Sequence, residues 1–191
     1  MIGNDIVDLE EAKLKSNWKR PGYLDKLFTI NEQQFIQNSD HKFLMVWRLW
    51  SMKEAAYKLY TQIHPSRFYK PKQFQCEINN SEGKVRYNRF SCAVKTKITS
   101  QYIISEARLV ANDMSSESEC IKLSDSSSQH QSDAVKNALL SKIASQYTIL
   151  RTDLKLLKSE FGIPSVYQNS KKLNMSISIS HHGNYAAYVF E

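Results

Sequence analysis

The order of apolar and polar positions predicts one strand followed by helices in the first 64 residues. Residues 2–10 alternate weakly between apolar and polar side chains, which predicts a short strand that turns into a helix. Thr29 and Glu32 match a capping box, so a helix is expected to begin after Thr29 and to end near Asn38. From Asp40 to His64 the chain contains no Gly or Pro and is largely apolar, which predicts one long helix.

The pattern becomes strand-like after a loop bracketed by Pro65 and Pro71. Apolar side chains alternate with polar ones, as they do in strands that bury one face. The predicted strands are residues 74–78, 85–97 and 102–110. A turn at Ser81-Glu82-Gly83 separates the first two, so the region predicts an antiparallel meander.

A segment rich in Ser and acidic residues follows the meander. Because residues 114–132 have little apolar content, they predict an exposed loop. A second helix is expected from Ser132, as its N-cap, to Tyr147. Its apolar side chains stand at helical spacing, at Val135, Leu139, Ile143 and Tyr147.

The remainder of the chain predicts strands. Residues 154–157 predict a short strand, and Gly162 and Pro164 mark a turn after it. A hairpin follows, with strands at residues 175–180 and 185–190 and a turn at His182-Gly183-Asn184.

This order of elements predicts an α+β fold and not the alternating pattern of a doubly wound sheet. We expect an antiparallel sheet packed against the long central helix. A chain of 191 residues can bury a core of its own, so residues 1–191 are expected to form a single domain.

Composition narrows the class of protein. With 41% hydrophobic and 11% aromatic residues the chain is expected to be globular, and its apolar runs are shorter than a membrane span. The first residues lack the basic and apolar regions of a secretory signal. Three cysteines, Cys76, Cys92 and Cys120, match no zinc pattern or disulfide framework, which favours a reducing, cytoplasmic location.

The net charge of +7 indicates an acidic partner. Nucleic acid, an anionic membrane, a polyphosphate cofactor and an acidic protein all satisfy this condition. The Lys and Arg residues are scattered along the chain and form no dense run, so the charge by itself does not choose among these partners.

Three segments carry polar residues that packing explains poorly. Gly3 to Asp8 places Asp5 in a mostly apolar strand, where it is either a functional acid or a helix cap. Glu54 lies among aromatic residues of the long helix, where a cation must compensate it; an internal pair with Lys58 is the simpler alternative. Ser176 to Gly183 alternates Ser with Ile and ends in two histidines, which suits either an anion site or an ordinary edge hairpin.

Together these segments resemble the 4′-phosphopantetheinyl transferase superfamily. Members carry a Gly-x-Asp start, a Trp-Ser-x-Lys-Glu-Ala helix with a later Lys, and a Ser-x-Ser-His hairpin, and the order here is that of the single-domain holo-acyl-carrier-protein synthase type. Phe28 to Glu32 is similar to the family's Phe-Thr-x-x-Glu, and Phe161 to Pro164 resembles the Gly-Lys-Pro that precedes the hairpin. The resemblance covers residues 2–62 and 155–191.

The resemblance implies a reaction and a role for each matching residue. The enzyme would transfer 4′-phosphopantetheine from coenzyme A to a serine of an acyl or peptidyl carrier protein and release 3′,5′-ADP. Asp5 and Glu54 would hold Mg²⁺, and Lys58 would contact a phosphate. Ser180 and His181 would bind the 3′-phosphate of coenzyme A. The catalytic candidates are Glu54, Lys58 and Asp8, with Asp8 or a metal-bound water as the general base.

Two departures from the family pattern affect these expectations. Val7 stands where larger members carry a third metal-binding carboxylate, and Ile163 stands where many relatives have a Lys that helps bind coenzyme A. Lys171 or Lys172 is a candidate to replace that Lys. In the family the hairpin of one unit meets the carboxylates of the next. The resemblance therefore implies a homo-oligomer, and a trimer is the first expectation.

Two other functions remain open at this point. A basic nucleic-acid-binding domain would interleave Lys and Arg with exposed aromatics, and residues 84–89 are the stretch of that kind. A catalytically inactive family member would serve as a binding module, and Ile163 weakly favours it. The pathway, whether fatty acid, polyketide or peptide synthesis, does not follow from the residues.

Overall fold

The computed structural model describes residues 1–68, 70–109, 116–124 and 127–191. The helices are α1 Leu9–Lys15, α2 Tyr23–Leu27, α3 Ile30–Asn38, α4 Lys42–Ile63 and α5 Ser128–Tyr147. The first strands are β1 Ile2–Asp8, β2 Gln75–Asn79, β3 Glu82–Tyr87, β4 Phe90–Ile98, β5 Tyr102–Arg108 and β6 Glu117–Lys122. The later strands are β7 Leu154–Lys158, β8 Pro164–Gln168, β9 Lys171–Lys172, β10 Ile177–His182 and β11 Tyr185–Phe190.

The strands form three antiparallel sheets. The largest has the order β1-β5-β4-β3-β2, and α4 packs across β1, β5 and β4 to form the main hydrophobic core. A second sheet, β10-β11-β6, packs against α5 and buries a separate apolar cluster. The third sheet is β7-β8-β9. β1 also contacts β10 and β11, so the edge of the largest sheet meets the C-terminal hairpin.

A buried ion pair joins α3, α4 and the loop before β2. Lys53 Nζ lies 2.7 and 2.8 Å from the two carboxylate oxygens of Glu32, and both residues are only 1% exposed. Glu32 also accepts hydrogen bonds from the backbone N–H of Thr29 and Cys76, while Lys53 also donates to the carbonyl of Phe74. The polar groups of the pair are therefore satisfied, which is the condition for burying charge.

The expected α+β class and the main elements are confirmed. The strand at residue 2 turns into α1, the capping box at Thr29 and Glu32 begins α3, and the long helix is α4. The hairpin of β10 and β11 is also confirmed, with a tighter turn than expected, because His182 belongs to β10 and pairs with Tyr185. Within the described ranges, no helix has both the length and the apolar character needed to span a membrane.

Several boundaries predicted from the sequence are wrong. The strand expected over residues 85–97 is two strands, because Asn88 takes a left-handed conformation, φ 52°, between β3 and β4. The exposed loop expected over 114–132 contains β6, and α5 begins at Ser128 with Ser127 and not Ser132 as its N-cap. Residues 114, 115, 125 and 126 of that loop lie outside the described residues.

Candidate active site

Gly3 allows β1 to lie directly against α4. Alternate residues of β1 share a face, and Gly3, Asp5 and Val7 occupy the face toward this helix. A Cβ atom at Gly3 would stand 2.1 Å from the carbonyl oxygen of Ala55 and 2.8 Å from the backbone nitrogen of Leu59. Only a glycine permits this approach, which brings the backbone and side chain of Asp5 onto the surface of α4.

One face of α4 surrounds Asp5 with polar groups. Ser51 donates a hydrogen bond to the carbonyl oxygen of Asp5 at 3.2 Å, and Lys58 Nζ lies 3.1 Å from Asp5 Oδ1. Lys58 also donates to the carbonyl oxygen of Asn4 at 2.9 Å. Glu54 lies three residues after Ser51 and four before Lys58, so it belongs to the same helical face. The structure thus brings Asp5 and Lys58 together where β1 meets α4, and Glu54 shares the helical face of Lys58.

The charge balance at Asp5 suits a bound cation. Burial raises the pKa of the Asp5 carboxyl, and Lys58 and His182 only partly oppose this effect. Over residues 1–68, 70–109, 116–124 and 127–191, no group of three or more His, Cys, Asp or Glu residues could hold a metal by itself. Asp5 and Glu54 provide two carboxylates, which are the kind of oxygen ligand that a hard divalent cation takes, and phosphate and water would have to complete its coordination.

The C-terminal hairpin covers the free edge of β1 through side chains. Three side chains of the segment from Ser176 to His182 accept hydrogen bonds from backbone N–H groups of β1. The pairs are Ile2 with Ser176 at 2.9 Å, Asn4 with Ser178 at 2.9 Å and Asp8 with His182 Nδ1 at 3.0 Å. These bonds protect an edge that would otherwise be open to pairing with another chain.

This contact bears on the expectation that two protomers build the site. The resemblance implied that the hairpin of one protomer meets the carboxylates of the next. Here the hairpin of the same chain holds the strand that carries Asp5. A homo-oligomer, with a trimer as the first expectation, stays a prediction, but the meeting of hairpin and carboxylates does not require one.

Ser180 and His181 lie on opposite faces of β10. Ser180 follows Ser178 by two residues and faces β1; it is 5% exposed, and its hydroxyl has no hydrogen-bond partner in the described part of the chain. His181 is exposed on the other face. Partial burial lowers the pKa of His181, and so do the charges of Lys58 and Lys158. The structure therefore places the Ser180 hydroxyl against β1 and the His181 ring on the opposite, exposed face of β10.

Asp8 is engaged in structural hydrogen bonds. As the N-cap of α1, its Oδ1 accepts from the backbone N–H of Glu10 at 2.9 Å and of Glu11 at 3.2 Å. Its Oδ2 accepts from the backbone N–H of Asn184 at 2.8 Å, in the hairpin turn. The carboxylate thus joins the start of α1 to the hairpin, which supports a cap and disfavours the predicted role as general base.

A cavity of about 210 Å³ opens beside Lys58. Its walls are Tyr57, Lys58, Thr61 and Gln62 of α4, residues 161–164 before and at the start of β8, Ser178 and Ile179 of β10, and Lys158 of β7. A second cavity of about 400 Å³ shares Gln62, Ile163 and Pro164 with the first. The turn that resembles Gly-Lys-Pro therefore lies between the two cavities, and its Ile163 lines both.

The sequence analysis missed Lys158 as a residue of this site. It belongs to no motif, but the alternation of β7 contained a signal. Leu154 is buried and Leu156 packs against the same cluster; Lys158 follows on the same face of the strand but is exposed at its end. Its place in the cavity could be inferred only once β7 was positioned beside β8.

His182 is expected to stabilise the contact between β1 and the hairpin through Nδ1. Replacing His182 by Leu leaves the backbone N–H of Asp8 without its acceptor and should lower the free energy of unfolding by about 1–3 kcal/mol. His182→Asn retains an acceptor near the same position and should lose less than half of that. Urea unfolding of the two variants measures the difference, and equal losses would mean that ring packing, not the hydrogen bond, is what His182 contributes.

Comparison with known proteins gives the same family that the motifs resemble. The family model described as the 4′-phosphopantetheinyl transferase superfamily matches residues 1–112, which is more than half of the chain. Among solved structures, the crystal structure of Thermotoga maritima holo-acyl-carrier-protein synthase matches with 11% identity and a TM-score of 0.43, over 90% of this chain and 83% of that one. No curated protein matches the chain.

Proposed function

This chain belongs to the 4′-phosphopantetheinyl transferase superfamily, and we propose that it transfers 4′-phosphopantetheine from coenzyme A to a serine of an acyl or peptidyl carrier protein. One observation carries the proposal. Asp5 pairs with Lys58 of the α4 face that carries Glu54, and the hairpin that carries His181 holds β1 in the same chain, beside a cavity lined by Lys58 and Lys158.

The proposed roles follow from the charges at the site. Asp5 and Glu54 would hold Mg²⁺, which supplies positive charge to the diphosphate of coenzyme A when it is bound. Lys58, already oriented by Asp5 and the carbonyl oxygen of Asn4, contacts a phosphate oxygen at the same end of the cavity. His181 donates a ring N–H to a phosphate; because its pKa lies below the ordinary value, it is mainly neutral at pH 7 before the ligand binds.

The reaction joins the serine oxygen of the carrier protein to the β-phosphorus of coenzyme A. The bond between that phosphorus and the bridging oxygen breaks, and 3′,5′-ADP leaves with the bond electrons, while the proton of the serine hydroxyl passes to water. Catalysis of such transfers depends mainly on positioning and electrostatic stabilisation. An acidic carrier protein suits the net charge of +7 through electrostatic steering.

Residues 84–89, which suggested nucleic-acid binding, are engaged in contacts within the protein. The ring of Tyr87, the aromatic residue of the basic stretch 84–89, is stacked on Phe74 with centroids 4.7 Å apart. Arg86 of the same stretch pairs with Glu77 at 2.8 Å. The stretch therefore contributes its aromatic ring to a packed cluster rather than to a surface on which bases could stack.

The cellular setting is part of the proposal. All three cysteines are free thiols, and Cys76 and Cys92 are buried, which agrees with a reducing compartment and thus a cytoplasmic enzyme. Burial raises the pKa of the Cys92 thiol to about 12, so this thiol stays protonated and unreactive. We further propose that residues 1–191 act as a single domain.

Intact-mass spectrometry tests the proposed reaction. Apo carrier proteins of fatty acid, polyketide and peptide synthesis are each incubated with the protein, coenzyme A and Mg²⁺. We expect one of them to gain the mass of one phosphopantetheine group, with the gain abolished by a chelator and restored by added Mg²⁺. If no carrier protein gains mass and 3′,5′-ADP does not bind, the proposed function is wrong.

A further inference from the structure

We infer that Lys158 binds the 3′-phosphate of coenzyme A and replaces, from a different strand, the lysine that many relatives carry at the position of Ile163. The inference rests on the proposed function, because it names the residue that recognises the nucleotide end of the same substrate. It concerns a side chain that none of the sequence motifs contains.

The position of Lys158 is set by two neighbouring strands. Lys158 is the last residue of β7 and pairs with Pro164, the first residue of β8. It lines the 210 Å³ cavity together with Ile163 and Lys58. A lysine in register with Pro164 can therefore line the same cavity as a lysine in the preceding turn.

The other candidates for replacing the missing lysine are less well placed. Lys172 lines the 400 Å³ cavity but not the cavity that contains Lys58. Lys171 lines neither cavity. Of the three lysines, Lys158 alone shares a cavity wall with the residues of the candidate active site.

Lys158 lies near two other lysines and, unlike them, has no ion pair with a carboxylate among the described residues. Lys58 pairs with Asp5 and Lys136 with Asp133. Partial desolvation lowers the pKa of Lys158, and so do the charges of Lys136 and Lys58. Like charges held together in this way repel one another until an anion binds between them.

Lys58 and Lys158 both line the cavity, whereas His181 lies on β10 outside its lining. Lys58 is held by Asp5, so it belongs to the end where the carboxylates and the diphosphate would meet. Lys158 and His181 act on each other electrostatically and have no carboxylate partner among the described residues. A terminal phosphate carries up to two negative charges and suits this second group best.

Steady-state kinetics with two substrates tests the inference. Lys158→Gln should raise the KM for coenzyme A by about ten- to a hundredfold, the loss expected for one hydrogen bond to a charged phosphate. The KM for dephospho-coenzyme A, which lacks the 3′-phosphate, should change less than about twofold, and kcat should be retained. Lys155→Gln is the matched control, because Lys155 is exposed on the same strand and points to its other face.

Direct binding separates failure of this inference from failure of the proposed function. Calorimetry compares 3′,5′-ADP with 5′-AMP on the wild-type protein and on Lys158→Gln, without any transfer reaction. If the wild type transfers but Lys158→Gln weakens both nucleotides equally, or neither, the assignment of Lys158 is overturned and the function stands. If the wild type transfers nothing, yet its preference for 3′,5′-ADP depends on Lys158, the phosphate site stands and the function fails.

Discussion

Replacing Glu54 by Gln should lower the rate of phosphopantetheine transfer by about a hundredfold or more, the range seen when one electrostatic transition-state contact is removed. The amide keeps the shape of the side chain but loses the negative charge that would bind the metal ion. Glu54 is half-buried on the face of α4 between Ser51 and Lys58, so the change should leave packing intact. The measurement is the initial rate of carrier-protein modification at saturating Mg²⁺.

Glu82→Gln provides the matched control for Glu54→Gln. Glu82 is exposed on β3, three strands from β1 in the largest sheet, so the same chemical change there should leave the rate unchanged. Circular dichroism and urea unfolding establish that both variants are folded. If folded Glu54→Gln retains the wild-type rate, Glu54 does not hold a metal ion needed for the reaction.

Replacing Lys53 by Met should lower the free energy of unfolding by about 3–5 kcal/mol, the cost of leaving one member of a buried ion pair without its partner. Without Lys53, Glu32 would keep only its backbone donors, at Thr29 and Cys76, inside the core. The loss should also loosen α3, α4 and the start of β2, because the pair joins them. The midpoint and slope of urea unfolding give the loss of stability.

Two further variants distinguish the loss of the Lys53–Glu32 ion pair from the general effect of replacing a lysine by methionine. Lys42→Met alters an exposed lysine of the same helix and should change the stability by less than about 0.5 kcal/mol. Lys53→Met combined with Glu32→Gln removes both charges and should recover part of the loss. A Lys53→Met protein as stable as Lys42→Met would contradict the account of the buried pair.

The pair also gives a physical reason for two motifs that the sequence shows separately. Glu32 closes the capping box at Thr29, and Lys53 directly precedes Glu54 in the motif of the long helix. Neither pattern reveals that the two side chains meet, because 21 residues separate them along the chain. The contact positions the helix that carries Glu54 and Lys58.

The sequence predicted those helices and strands in which hydrophobic periodicity or a helix cap agrees with the local secondary-structure preference. The helix around Glu54 could be predicted because it contains no Gly or Pro, and the C-terminal hairpin because Ser and Ile alternate. β6 could not be predicted, because as an edge strand it has an exposed, polar pattern, and pairing with β11 rather than local sequence defines it.

The sequence motifs indicated which residues belong to the candidate site, but not how their side chains are oriented. Asp5 and Lys58 pair where β1 meets α4, and Glu54 shares the helical face of Lys58; their roles in the reaction stay predictions. The orientation of Ser180 depends on how β10 meets β1, and the capping role of Asp8 depends on the start of α1 and the hairpin turn. Such facts arise from contacts between distant segments, and a motif carries no information about them.

We propose that one chain carries both halves of a phosphopantetheine-transfer site. The direct measurement is the mass gain of an apo carrier protein, at limiting coenzyme A, with the wild type and with Glu54→Gln and His181→Ala chains that are co-expressed and purified together. We predict that the wild type adds one phosphopantetheine and that the co-expressed variants are no more active than the sum of each alone. No mass gain with the wild type, or activity restored by combining the two variants, would contradict the claim.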